Sequence, residues 1–153
     1  KDHAFFSRVK ELDLKYAKLV AFGSTRRRDS RVQDDKNCLA LMEADIDCIS
    51  IFGKASCWQV KEVLGTTPQE NLRMIFDTVS FFTKAGKRVF FDAEHFFDGY
   101  KDNKEYALSA LRAAQEAGCS FIFAAYGFGA VPEASWRIGQ PAELPALVEN
   151  IDS

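Results

Sequence analysis

The chain has 153 residues, 47% of them hydrophobic, enough for one sizeable core and not for two, so a single domain is expected. Twenty basic against 22 acidic side chains leave a formal charge of -2, and no long-range field selects nucleic acid or an anionic membrane. No apolar run approaches the roughly 20 residues of a bilayer span, and nothing reads as a signal peptide.

Cys38, Cys48, Cys57 and Cys119 form no C-x-x-C pair, and only two histidines exist, so neither a zinc knuckle nor a disulfide framework is read. Reduced thiols in a cytoplasmic protein are the expectation. The chain opens at Lys1 directly into a helical pattern, with Phe5, Phe6, Val9 and Leu12 on neighbouring turns, as a portion of a longer protein would.

KLVAFGS, Lys18 to Ser24, is an apolar run that ends in glycine and a polar loop and predicts the first buried strand. NCLALMEA places Cys38, Leu39, Leu41 and Met42 at helical spacing behind Asp34 and Asp35, which suit the positive end of a helix dipole. CISIFGKAS is the second strand, closing on Gly53. Thr67-Pro68-Gln69-Glu70 then announces a helix: Thr67 caps, Pro68 needs no N–H partner there, and Glu70 can reach back. Leu72, Ile75, Phe76, Val79 and Phe82 fall on one face of it, and Gly86 supplies a left-handed end.

KRVFFDAEH is the third strand. Asn103-Lys104-Glu105 opens a helix carrying Ala107, Leu108, Leu111 and Ala114, Gly118 closes it, and CSFIFAAY is the fourth strand. Apolar strands separated by amphipathic helices predict an α/β fold with about four parallel strands buried on both faces. Residues 1–126 make that domain, and 127–153 a divergent, irregular tail with one short helix near Leu144 to Glu149.

Loops at the carboxyl ends of parallel strands carry ligands, because side chains and helix N-termini converge there. That rule selects Gly23, Ser24, Thr25 and Arg26, then Gly53, Lys54 and Ser56, then Asp92, Glu94 and His95, and finally Tyr126. Asp92 and Glu94, two apart on a strand, point the same way and can orient a polar substrate, act as a base or bind a metal. The competing reading has one capping the next turn and the other solvated. His95 points to the other face and reads as structural. Lys54 can hold an anionic group at its glycine-containing turn, or be one more solvated lysine. Arg26-Arg27-Arg28 reads as a solvated loop, with a phosphate contact as the sharper alternative.

KLVAFGSTRR, SIFGKAS, TTPQENLRMIFDTV, FFDAEHFFDGYKDNKEYAL and LRAAQEAG, in this order and spacing, resemble the middle of the citramalate synthases related to 2-isopropylmalate synthase, from about Lys1 to Phe123. The resemblance implies part of an HMG-CoA-lyase-like (β/α)8 TIM barrel. It implies condensation of acetyl-CoA with pyruvate to citramalate, for isoleucine synthesis; the alternative is a longer 2-oxo acid, on the leucine branch. A divalent metal (Mg, Mn or Zn) serves the parent family, and a homo-oligomer is expected. The acid of the D-A-E-H segment carries over as an oxo-acid contact, which is Glu94, and Asp92 lines the same pocket by analogy. Lys54 or the arginine loop lies near the phosphates of coenzyme A.

The family's R-D-G and H-x-H metal-binding segments are absent, and His3 and His95 fall at the wrong places, so no metal ligand carries over and no tight metal binding is expected. Where the family continues with Asp-Thr-Asn-Gly-Gly, this chain reads AAYGFGAVPE, and a tail from an altered reading frame is expected. Asp45 stands where the family often has glycine. No catalytic residue is assigned. With the metal ligands missing, this chain alone is expected to be inactive; half a barrel also exposes strand edges, so the alternative is a fragment that acts only by association with another chain.

Overall fold

A computed structural model describes residues 2–15, 17–119, 122–124 and 136–143 and divides the chain into two units, 1–119 and 120–153. In the first unit the three apolar runs become β1 (Val20–Ser24), β2 (Cys48–Lys54) and β3 (Arg88–Glu94), parallel neighbours in chain order. Helix α1 (Asp2–Val9) precedes them, α2 (Lys36–Glu43) joins β1 to β2, and α3 (Cys57–Glu62) and α4 (Pro68–Lys84) join β2 to β3. Helices α5 (Phe96–Asp102) and α6 (Lys104–Glu116) follow.

The register sorts the side chains into two faces, because neighbours on one rung of a parallel sheet point the same way. Ala21, Ile49 and Val89 share a rung, as do Gly23, Ile51 and Phe91. Those rungs face the helices. Ala21, Ile49 and Ile51 pack with Cys38 and Leu41 of α2 and Phe82 of α4, while Ile75 and Val79 of α4 meet Ala110 and Ala114 of α6. The alternate rungs, Phe22–Ser50–Phe90 and Ser24–Phe52–Asp92, face away. There Phe22 and Phe90 are 62% and 47% exposed, and Phe22 stacks on Phe52 with ring centroids 5.2 Å apart. The expectation of strands buried on both faces is therefore corrected: among the described residues, helices cover one face only.

The fourth strand also differs from expectation. β4 (Ile122–Ala124) forms, but it pairs in parallel with β5 (Trp136–Ile138) in a separate two-stranded sheet of the second unit. The segment expected to be irregular thus contributes a strand and a 3-10 turn at Pro141–Glu143. The helix expected near 144–149 lies outside the described residues, as does Tyr126.

Local start and stop signals hold in most places. Thr67 Oγ1 accepts from the Glu70 N–H at 3.1 Å with Pro68 at the first position, and Asn103 caps α6 by accepting from the Tyr106 N–H. Gly86 and Gly118 take φ of 78° and 112° at helix ends. Asp45 is also left-handed, with φ 51°, a conformation aspartate tolerates better than most side chains, and its carboxylate meets Lys10 at 3.2 Å. Two assignments are corrected. Phe76 is 40% exposed, and Glu70 turns toward the loop after β1 instead of reaching back to its cap.

Asp35, expected only as dipole complement, is the buried N-cap of α2. Its carboxylate accepts from the backbone N–H groups of Arg27 (2.9 Å), Asn37 (3.0 Å) and Cys38 (3.1 Å). Burial alone would raise its pKa, but these hydrogen bonds outweigh it and hold the carboxyl below its ordinary range. Because the folded value lies below the unfolded one, the stabilisation is full above about pH 4 and is lost as pH falls through the folded value. Asp35→Asn should therefore cost about 2 kcal/mol at pH 7, and the deficit should shrink below about pH 4 in urea titrations.

Candidate functional site

The carboxyl ends of β1, β2 and β3 lie side by side because the strands are parallel and in register. The ladder continues past the strands: the Thr25 N–H donates to the Phe52 carbonyl at 3.1 Å, and the Ala55 N–H to the Glu94 carbonyl at 2.9 Å. Lys54 and Glu94 occupy the last rung of β2 and β3, and both side chains emerge on the face away from the helices. The Lys54 ammonium lies 2.7 Å from Glu94 Oε2. That oxygen is buried and receives no well-directed hydrogen bond, so the contact is one of charge more than of hydrogen-bond geometry. Asp92, one rung back beside Phe52 and Ser24, is exposed on the same face.

The backbone under Lys54 is anchored from behind. Asn71 of α4, fully buried, donates through Nδ2 to the Lys54 carbonyl at 2.8 Å and to the Tyr106 hydroxyl of α6 at 2.7 Å. Burial pushes the Tyr106 phenol up to about 12, against the opposing hydrogen bond from Asn71, so it stays a neutral hydroxyl. This post ties β2, α4 and α6 together directly behind the rim.

The three arginines separate. Arg26 is not a solvated loop residue: its side chain is 7% exposed, with Glu70 Oε1 at 2.9 Å and Asp77 Oδ2 at 2.8 Å. Arg28 bonds the carbonyls of Leu64 and Gly65 after α3, and Arg27 is exposed. Between these loops a cleft of about 340 Å³ is lined by Ser24, Thr25, Arg27, Phe52, Lys54 and Met74, among others. Larger hollows lie beside α4 and the loop after β1, near Arg28, Arg31 and Lys84, and at the amino ends of the strands, near Lys18 and Asp47; neither is lined by Lys54, Asp92 or Glu94. His95 follows β3 in a left-handed conformation (φ 57°), half exposed, with its ring 3.9 Å from Asp98.

No protein-family model matches the chain. Among curated proteins it is 46% identical over 122 residues to the (R)-citramalate synthase of Aquifex aeolicus, covering 80% of this chain and 23% of that protein. It is 43% identical to the (R)-citramalate synthase of Sulfolobus acidocaldarius over the same length and shares. This chain belongs to the citramalate synthase and 2-isopropylmalate synthase family. It spans about a quarter of the length of these relatives. The (R)-citramalate synthase of Streptomyces coelicolor matches at 40% over 152 residues, 99% of this chain and 27% of that protein. That match runs on past Tyr126, so the family likeness does not stop at Phe123.

The family's metal finds no home in what is described. Among the described residues no three His, Cys, Asp or Glu side chains converge, and the Glu94 carboxylate has an ammonium against it. All four cysteines are free, and burial pushes the Cys38 thiol up to about 12, helped by Asp35, and the Cys119 thiol up to about 11, which leaves those two poor nucleophiles. No described helix is long and apolar enough to cross a membrane.

Strand-end reasoning selects Lys54, Asp92 and Glu94 but not their pairing, and it misses Asn71 and Tyr106. Asn71 follows the Thr67 cap at the start of α4, and a polar residue in helical line with Ile75 and Val79 on the apolar face is the signal that could have found it.

Proposed function

We propose that the chain is a β/α segment of an (R)-citramalate synthase barrel, a cytoplasmic enzyme that condenses acetyl-CoA with pyruvate. The reading is supported by the family membership and carried by one observation: Glu94 of the D-A-E-H segment stands at the carboxyl end of β3, on the face not covered by helices, with Lys54 beside it. In this reaction a base removes a proton from the acetyl methyl, and the resulting carbanion forms a C–C bond to C2 of pyruvate. The C2 oxygen takes up a proton, and water cleaves the thioester to release citramalate and the free thiol of coenzyme A.

Glu94 receives the hydrogen bond of the C2 hydroxyl as that proton arrives, an interaction present after attack and absent in free pyruvate, so it favours the transition state. Asp92 lines the same wall one rung back. The Phe22 and Phe52 rings give that wall an apolar floor, which suits a short alkyl substituent. The reaction is assigned to the assembled barrel, because this segment presents an uncovered sheet face.

The test replaces the matching 122-residue segment of the Aquifex aeolicus synthase with this one and follows pyruvate-dependent thiol release from acetyl-CoA. Glu94→Gln in the chimera should lower kcat about 10- to 100-fold with little change in fold, the loss expected for a charged hydrogen bond. A chimera that folds but releases no thiol, or an undiminished Glu94→Gln variant, counts against the assignment.

A further inference from the structure

A carboxylate is a poor surface on which to dock an anion. The Glu94 side chain is only one-third exposed, so an incoming 2-oxo acid would meet a partly screened like charge, at a cost in affinity. We propose that Lys54 is the positioning residue that removes this barrier: its ammonium, 2.7 Å from Glu94 Oε2, cancels the charge and offers its remaining N–H donors to the carboxylate of the oxo acid. The proposal rests on the reading of Glu94 as the oxo-acid contact.

Three features support it. Lys54 and Glu94 are opposite one another on the last rung, so their heads are placed by the sheet and not by a loop. The Lys54 side chain is only 13% exposed, and among the described residues its head has no other partner, which leaves donors available beside Glu94. Its backbone cannot drift, being held through Asn71 to Tyr106 while the next N–H bonds the Glu94 carbonyl. Together the two side chains present a neutral pair whose Lys54 donors fit the carboxylate and adjacent carbonyl of a small 2-oxo acid, while the Glu94 acceptor is left for the hydroxyl that forms after attack.

The experiment uses the full 153-residue chain, 13C-labelled at glutamate side chains, titrated by NMR with pyruvate and with uncharged methyl pyruvate. In the parent, pyruvate should move the Glu94 carboxyl resonance. Lys54→Met should weaken pyruvate about tenfold or more and methyl pyruvate by less than about twofold, since only the former carries the charge. Lys54→Gln, which keeps a polar head without charge, should do the same and serves if the methionine variant does not fold. Lys54→Arg should retain binding, and adding Glu94→Gln to Lys54→Met should restore most of it. Equal weakening of both ligands, or pyruvate binding unaltered by loss of Lys54, overturns the proposal. A parent chain that does not bind pyruvate, or binds it without moving Glu94, overturns the assignment of Glu94 itself and the proposal with it.

Discussion

Arg26→Met lowers the unfolding free energy by about 3 kcal/mol, the loss expected when one partner of a buried ion pair is removed, taken at the low end because its two carboxylates are partly exposed. The guanidinium is the lock between the loop after β1 and helix α4. Its Nε and Nη2 both reach Asp77 Oδ2, at 2.9 and 2.8 Å, and Nη1 reaches Glu70 Oε1 at 2.9 Å and the carbonyls of Arg27 and Ser30 at 3.1 and 3.2 Å. The Arg26 N–H adds a bond to Thr78 Oγ1 at 2.9 Å, so backbone and side chain of one residue grip the same helix. Methionine keeps the aliphatic stem but leaves Glu70 and Asp77 facing one another without the cation. Arg26→Lys should retain less than half of what the methionine variant loses, because a single ammonium cannot serve two carboxylates two turns apart on α4. Adding Asp77→Asn to Arg26→Met should recover part of the loss by removing the stranded charge. Chemical denaturation of the four proteins measures each step, and an Arg26→Met protein within about 0.5 kcal/mol of the parent would show that the lock does not matter.

Why that lock looks like a solvated loop in the sequence is instructive about what one sequence holds. Three consecutive arginines followed by aspartate look like surface charge, because burial of a guanidinium depends on partners brought in by α4, from far along the chain. What depends on short range is legible. The three apolar runs, the Thr67-Pro68 start, the Asn103 cap and the left-handed ends at Gly86 and Gly118 are decided by residues within a turn of one another. Helix α5 escapes the sequence reading because FFDGYKD carries glycine and charge. Its signal is the spacing of Phe96 and Tyr100, one turn apart, whose rings sit 5.8 Å from each other. The site is half legible for the same reason. Strand ends name Lys54 and Glu94, while their contact follows from the register between β2 and β3, which turns on packing against α4 and α6.

The second large effect comes from that overlooked helix. Gly99 is buried in α5 where the helix crosses the end of β2, and a side-chain carbon there would overlap the Ala55 carbonyl oxygen and stand 2.9 Å from both the Ala55 carbonyl carbon and Ser56 Cα. These are backbone atoms and cannot rotate away. Ala55 is itself fixed by its N–H bond to the Glu94 carbonyl, so either α5 lifts or the rim moves. Glycine to alanine in an unencumbered helix interior should stabilise by up to about 1 kcal/mol, because alanine is the better helix former. Here the overlap reverses the sign, and Gly99→Ala should destabilise by about 2–3 kcal/mol. The same change displaces Ala55 next to Lys54, so in the chimeric enzyme it should also raise the KM for pyruvate, whereas Arg26→Met should act on stability with little effect on KM. Denaturation together with steady-state kinetics separates the two. A Gly99→Ala protein more stable than the parent would mean that α5 does not rest on the strand end, and that Lys54 is held without it, by Asn71 and the Ala55 N–H bond to the Glu94 carbonyl.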